Sequence, residues 1–325
     1  MSTNPNQQAK ADTLNDIYEE LSKVVVGRQK ECKLFLMALL SKGHVLLEDM
    51  PGMGKTSLVK AFSKILDCEY KRVQCTPDLL PSDVTGVSVF NPKTSEFSFR
   101  KGPVFTQILL VDEINRALPR TQSSLLESME ERQISVEGGA YELAEPFMVL
   151  ATQNPVETQG TFPLPEAQLD RFLIKLRMGY LSQEDEEDML ENLGNDLPFD
   201  RLANILDAST IADFQKQSEN VHVHPNVRTY IVKLAHETRQ HPLIEMGISP
   251  RASKAMYQAV KAWAFLDGRE YVQPDDVKDL LPYVWSHRLI LTSEASFHNW
   301  NTENLLAEEI VKKVKLPEEN VERVT

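Results

Sequence analysis

Cysteine is scarce. Cys32, Cys68 and Cys75 are the only three in 325 residues, an odd number with no C-x-x-C spacing, which argues against a disulfide framework and against a zinc site. They read as small buried hydrophobes. Long apolar runs are missing as well. No stretch approaches the ~18 consecutive apolar residues of a spanning helix, and the polar opening "MSTNPNQQAKADTLND" lacks the basic-plus-apolar start of a secretory signal. The expectation is a protein without a membrane span, resident in the cytoplasm. Positive charge is in short supply. Lys and Arg number 35 against 48 Asp and Glu, and the net charge of −13 provides no overall field that would draw nucleic acid or an anionic membrane. Bulk charge points instead to protein partners. There is no internal repeat, and the acidic run Glu184–Asp188 reads as a solvated helix face.

What is present divides into two textures. The length allows about two domains, each able to bury its own core. Up to about residue 180, short apolar strands alternate with helical stretches, the pattern of a parallel sheet covered on both faces. The strand candidates are "HVLLE" (44–48), "YKRVQC" (70–75), "QILLVDE" (107–113), "FMVLATQN" (147–154) and "FLIKLRM" (172–178). After Gly179-Tyr180, Ser182 reads as a helix N-cap followed by acids, and no comparable strand run follows. The segments 224–240, 249–268 and 273–290 each show an apolar stripe, with Pro225, Pro250 and Pro274 in the first turn. The sequence therefore predicts an α/β core over 1–180, opened by a short helical segment, and an α-helical domain over 181–325.

The chemistry concentrates in "EDMPGMGKTS" (48–57). Its second half follows the phosphate-loop pattern G-x-x-x-x-G-K-[ST], with Asp49 in the first glycine position. Gly52 and Gly54 let backbone N–H groups turn toward phosphate oxygens. Lys55 can reach the terminal phosphates, and the Thr56 hydroxyl can ligate magnesium. The loop as a whole, Asp49, Pro51, Gly52, Met53, Gly54, Lys55, Thr56 and Ser57, is the candidate nucleotide cradle. A strand stands before it and a helix after it, as such a cradle requires. Asp49 tolerates left-handed backbone better than most residues. Facing a triphosphate ~8 Å away at an effective dielectric of ~20 it would cost ~2 kcal/mol, and pointing outward little.

Downstream, "ILLVDE" ends a strand with Asp112, suited to the magnesium shell, and Glu113, suited to polarise an attacking water. Each acid alone could be a surface residue, but the preceding phosphate loop changes their reading. "VLATQNP" ends a strand with Asn154, whose amide can orient water or sense a terminal phosphate, although a strand-end Asn is otherwise a turn former. "LDRF" holds Arg171, and "SPRAS" puts Arg251 in the first turn of a helix; either alone reads as a surface ion-pair partner.

Taken in order, "GHVLLEDMPGMGKT", "CTPDLLPSDVTG", "FRKGPVF", "LLVDEINRA", "LLESMEERQISV", "FMVLATQNP", "GTFPLPEAQLDRF" and "GISPRAS" resemble the blocks of MoxR-family AAA+ ATPases across about residues 43 to 253. The family normally has glycine at the position of Asp49. The resemblance implies a P-loop core with two β-hairpin inserts and a helical lid. It implies Lys55 and Thr56 on ATP and magnesium, Asp112 and Glu113 as the Walker B pair, and Asn154 as sensor 1. It further implies Arg171 as an arginine finger acting in a neighbour's site, with Arg116 in reserve, and Arg251 as sensor 2. The inserts match "GVSVFNPKTSEFSFRKG" (86–102) and "RQISVEGGAYELAEPF" (132–147), both of which have hairpin patterning. The family implies a ring, hexameric by habit, that remodels or matures a client protein with a von Willebrand factor A-type partner. Two other classes compete: a nucleotide-regulated scaffold that hydrolyses little, for which Asp49 speaks, and a DNA-associated motor, which the negative charge opposes while Arg100 and Lys101 support it. A simple P-loop kinase leaves Asn154, Arg171 and Arg251 without a purpose.

Overall fold

A computed structural model describes residues 5–48, 52–93, 95–136, 139–155, 160–191 and 202–316. In chain order the strands of the first half are β1 Val45–Glu48, β2 Tyr70–Gln74, β3 Gly86–Asn91, β4 Glu96–Lys101, β5 Ile108–Asp112, β6 Gln133–Val136, β7 Gly139–Glu142, β8 Met148–Gln153 and β9 Ile174–Leu176. Five of them form one parallel sheet in the order β2-β5-β8-β1-β9. These are the five strands expected from the sequence. All four residues of β1 and all five of β5 are buried, which is why their sequences run apolar without alternation. The helices Lys55–Ile65 and Pro119–Glu131 each bury one apolar side, and Gln29–Leu40 is buried on every face from Leu34 onward. Val111, Ile114, Leu125, Leu126, Val149 and Phe172 belong to the core that results.

The other four strands stand outside this sheet as two antiparallel hairpins, β3 with β4 and β6 with β7. Both fall where the sequence placed them. The first compact unit extends to Gln215, later in the chain than the change of texture at Gly179-Tyr180. Hydrogen bonds explain the extension. Arg28 donates to the carbonyls of Met178 and Gly179, the Ile205 and Leu206 N–H groups bond the Ile65 carbonyl, and Gln215 Nε2 donates to the Leu39 carbonyl. The N-cap predicted at Ser182 is present, its hydroxyl accepting from the Asp185 N–H at 3.1 Å.

From Lys216 onward the chain belongs to the second unit, which is mainly helical, with helices Pro225–Gln240, Pro250–Leu266 and Pro274–Val284. Each has proline in its first turn, as predicted. The third ends sooner than its apolar stripe suggests. A 3-10 turn, Ser286–Arg288, follows it, and Ile290–Leu291 then pairs antiparallel with Ile244–Met246. The sequence shows no strand run comparable to those of the first half, and these two short strands were not expected from it. A two-residue strand is too short to show alternation, and its partner lies far off in sequence. Among the described residues no helix is long and apolar enough to cross a membrane.

Candidate active site

β5, β8 and β1 are consecutive in the sheet, and their C-terminal ends lead into Asp112-Glu113, Asn154 and the glycine loop respectively. Three segments far apart in sequence therefore meet at one edge, where parallel sheets of this kind take ligands. Gly52 and Gly54 have φ of 86° and 76°. A Cβ built on either would meet nothing within 4 Å. Glycine is needed there for the left-handed backbone and not for want of room. The helix Lys55–Ile65 starts directly after Gly54 with no acid in its first turn, so its positive end is not neutralised by its own side chains. Lys55 and Thr56 are half-buried, Met53 likewise, and Ser57 is exposed. Asp49 and Pro51 lie outside the described residues.

The entry to the loop is anchored by Glu48, the last residue of β1. Its carboxylate accepts from Gln153 Nε2 at 2.9 Å, from Arg177 Nη2 at 2.6 Å and from Lys175 Nζ at 3.3 Å. Burial pushes this carboxyl up, but Lys175, Arg177 and Gln153 together outweigh burial and hold it below the usual carboxylate range.

The acidic pair is tightly held. Asp112 accepts from Arg72 Nε at 2.7 Å on Oδ2 and from the Thr152 hydroxyl at 3.1 Å on Oδ1. Glu113 sits at φ 55°, a conformation uncommon outside glycine, and its N–H donates to Thr152 Oγ1 at 2.9 Å. Its Oε2 accepts from Gln74 Nε2 at 2.9 Å and pairs with Arg116 Nε at 3.0 Å. Arg72 Nη2 also donates to Gln74 Oε1 at 3.0 Å. Arg72 and Gln74 of β2 thus link the two carboxylates on one side, and Thr152 of β8 links the Asp112 carboxylate to the Glu113 main chain on the other. Cys75 lies behind Asp112, to whose carbonyl its N–H donates at 2.9 Å. Burial, reinforced by the charges of Asp112 and Glu113, pushes its thiol up to about 12. All three cysteines are buried and unpaired.

Asn154 is buried, and Asn115 Nδ2 donates to its main-chain carbonyl at 3.5 Å. Asn115 Oδ1 is itself buried without a hydrogen-bond partner, at a cost of about 1–3 kcal/mol. Such an acceptor suits a place that receives a polar group. Arg171 is drawn elsewhere: its Nε pairs with Glu130 Oε2 at 3.2 Å, near the end of the helix Pro119–Glu131. Arg251 is exposed in the first turn of Pro250–Leu266, within the second unit. Arg72, Gln74 and Thr152 were not singled out in the sequence. The polar residues at 72 and 74, two apart on β2, were a usable signal; Thr152, inside an apolar strand, carried none.

The residues present fit a nucleotide with a hard cation. Two positive-φ glycines with open space, a helix N-terminus, a lysine and a hydroxyl suit phosphate, and Thr56 with Asp112 offers oxygen ligands. Among the described residues no three His, Cys, Asp or Glu cluster into a metal cage. Magnesium characteristically binds through one or two carboxylates completed by substrate phosphates.

Comparison with known proteins agrees. Residues 44–174 match the family described as "ATPase family associated with various cellular activities (AAA)", and residues 236–310 match the AAA lid domain. The chain is 48% identical over 304 residues to the uncharacterized protein YeaC of Bacillus subtilis, covering 94% of this chain and 95% of that one. It is 38% identical over 321 residues to Chaperone MoxR1 of Mycobacterium tuberculosis, covering 96% and 84%. Among solved structures, a candidate ATPase from Cytophaga hutchinsonii superposes with a TM-score of 0.89 at 35% identity, covering 96% and 97%. With core, lid and near-full-length relatives all in agreement, the chain belongs to the MoxR family of AAA+ ATPases.

Proposed function

We propose that this protein binds and hydrolyses Mg-ATP at sites shared between subunits of a ring, hexameric by resemblance, and uses the energy to remodel or mature a client protein. The observation that carries the reading is the meeting of the glycine loop, Asp112-Glu113 and Asn154 at the ends of three neighbouring strands. Gly52, Gly54 and Lys55 hold the phosphates, and Thr56 and Asp112 hold magnesium. Bound magnesium supplies charge neutralisation on the phosphate oxygens. Glu113 takes the proton of a water that attacks the terminal phosphorus as the bond to the leaving diphosphate breaks. Asn154 orients that water. Arg171 reaches a neighbouring subunit's nucleotide, and Arg116 is the reserve. Arg251 is the lid's contribution. A von Willebrand factor A-type partner and a metal- or cofactor-containing client follow from the family resemblance, and the chain acts in the cytoplasm.

The test is ATP hydrolysis per subunit against protein concentration, with solution mass followed in parallel. Specific activity should climb as rings assemble. Glu113→Gln should lower kcat by about 10²-fold or more while ATP binding persists. Unchanged turnover in that variant would remove Glu113 from its role. One observation favours a second reading, a nucleotide-regulated scaffold: Glu113 Oε2 is engaged by Gln74 and Arg116. ATP binding with no hydrolysis at any concentration would move the conclusion there.

A further inference from the structure

Thr152 touches both acids of the proposed site through a single atom. Its Oγ1 donates to Asp112 Oδ1 at 3.1 Å and accepts from the Glu113 N–H at 2.9 Å. The residue is 2% exposed and lies on β8 opposite Leu47 of β1. Its strand neighbours Val149, Leu150 and Ala151 are fully buried and apolar. A hydroxyl is costly in such surroundings unless its hydrogen-bonding capacity is used, and here it both donates and accepts.

We propose that Thr152 is a positioning residue for nucleotide hydrolysis: its hydroxyl sets the Asp112 carboxylate for the magnesium-bound nucleotide and fixes the backbone turn that presents Glu113. The inference rests on the ATPase reading above and adds to it a residue that is neither ligand nor base. Two features make the hydroxyl consequential. Asp112 is also held by Arg72, whose side chain is 48% exposed against 10% for Asp112, so water competes for that guanidinium more than for the buried hydroxyl. Glu113, at φ 55°, occupies a backbone region that persists only where surrounding contacts enforce it. The bond from its N–H to Thr152 is such a contact. Without the hydroxyl, Asp112 can swing toward Arg72 and the Glu113 turn can relax, so both acids lose their aim together. Partners of ligating carboxylates commonly matter by 10–100-fold in metal affinity or activity.

The experiment uses the full chain with Thr152→Val, Thr152→Ser and Glu113→Gln. The first readout is hydrogen exchange at the Glu113 amide in nucleotide-free protein, followed by mass spectrometry of overlapping peptides. The second is the magnesium concentration that half-saturates ATP binding, and the third is kcat. Thr152→Val should speed exchange at Glu113 by about 10-fold and raise the magnesium requirement by about 10–100-fold. Thr152→Ser keeps the hydroxyl and should stay within about 3-fold of wild type on both. Should Thr152→Val fail to fold, Thr152→Ala supplies the same comparison without the branched side chain. Wild-type exchange and magnesium dependence in the valine variant would overturn the proposal, as would a serine variant as impaired as valine. The ATPase reading would then stand or fall separately on wild type and Glu113→Gln. If wild type binds no ATP with magnesium, that reading fails and takes this proposal with it.

Discussion

His44 shows how one buried side chain ties the glycine-loop strand to its surroundings. Nδ1 accepts from the Val149 N–H at 3.0 Å and Nε2 lies 3.1 Å from the Met129 carbonyl, so Nε2 carries the proton of the neutral ring. Burial lowers its pKa to about 4, against the opposing effect of the Met129 bond and with help from Arg132. The folded value lies below the unfolded ~6.5, so as pH falls the unfolded chain takes the proton first. Stability from this group is complete above about 6.5 and is lost on the way down to about 4, a loss of about 3 kcal/mol. Glu48, also depressed, loses its contribution in the same direction once pH falls below the ordinary carboxylate range. Comparison with His44→Gln separates the two. The variant should be less stable at pH 7 and show a shallower decline of urea midpoint between pH 6.5 and 4. An identical slope in both proteins would show that His44 does not titrate in this window.

Between elements, the hairpins are connected by aromatic stacking. Phe99 of β4 lies over Tyr141 of β7 with centroids 4.3 Å apart and planes at 25°, and meets Phe105 edge-on at 5.7 Å. Beyond this anchor Phe90 and Phe97 pair at 5.2 Å while remaining 50% and 69% exposed. A double-mutant cycle with Phe99→Ala and Tyr141→Ala should give a coupling of about 1 kcal/mol in unfolding free energy. Strict additivity would mean that the hairpins fold independently. Phe97→Ala should change stability by less than about 0.5 kcal/mol, since surface substitutions away from buried features usually do. In the second unit, Asp276 accepts from Arg269 Nη1 at 2.8 Å, Arg269 Nη2 at 2.5 Å and the Gln273 N–H at 2.7 Å. Asp276→Ala should cost about 1–2 kcal/mol, read by chemical denaturation, because the helix start loses its cap while Arg269 keeps Asp267 and the Tyr271 carbonyl.

At the scale of the whole molecule the decisive property is whether sites are shared. Arg171 is committed to Glu130 within its own chain, and as a finger it would have to exchange that pair for a neighbour's nucleotide. Such a residue can be worth about 10³–10⁵ in rate. Arg171→Ala should therefore lose at least about 10³-fold in kcat while retaining ATP binding. Mixing Arg171→Ala with Glu113→Gln tests the sharing directly. If sites are shared as proposed, mixed assemblies contain interfaces with both residues intact, and activity should exceed that of either variant alone. No recovery in rings shown to be mixed would place Arg171 outside the catalytic interface.

Local chemistry was legible where one stretch of chain carries its own instruction. The buried strands announce themselves by apolar runs, the helices of the second unit by proline and apolar spacing, and the cradle by the glycines and Lys55-Thr56 between strand and helix. The hairpins were legible because alternation and turn residues are local too. Pairings across the sheet could not be read this way. That Arg72 and Gln74 of β2 grip the carboxylates of Asp112 and Glu113, that Thr152 bridges the same pair, and that Ile290–Leu291 finds Ile244–Met246 all depend on strand order and register. The physical reason is range. Backbone propensity and side-chain periodicity act over a few residues, whereas a hydrogen bond between strands exists only after distant segments have packed. The sequence by itself determined the fold family and named the candidate residues for the chemistry, and the tertiary structure decided which of them come together and what holds them in place.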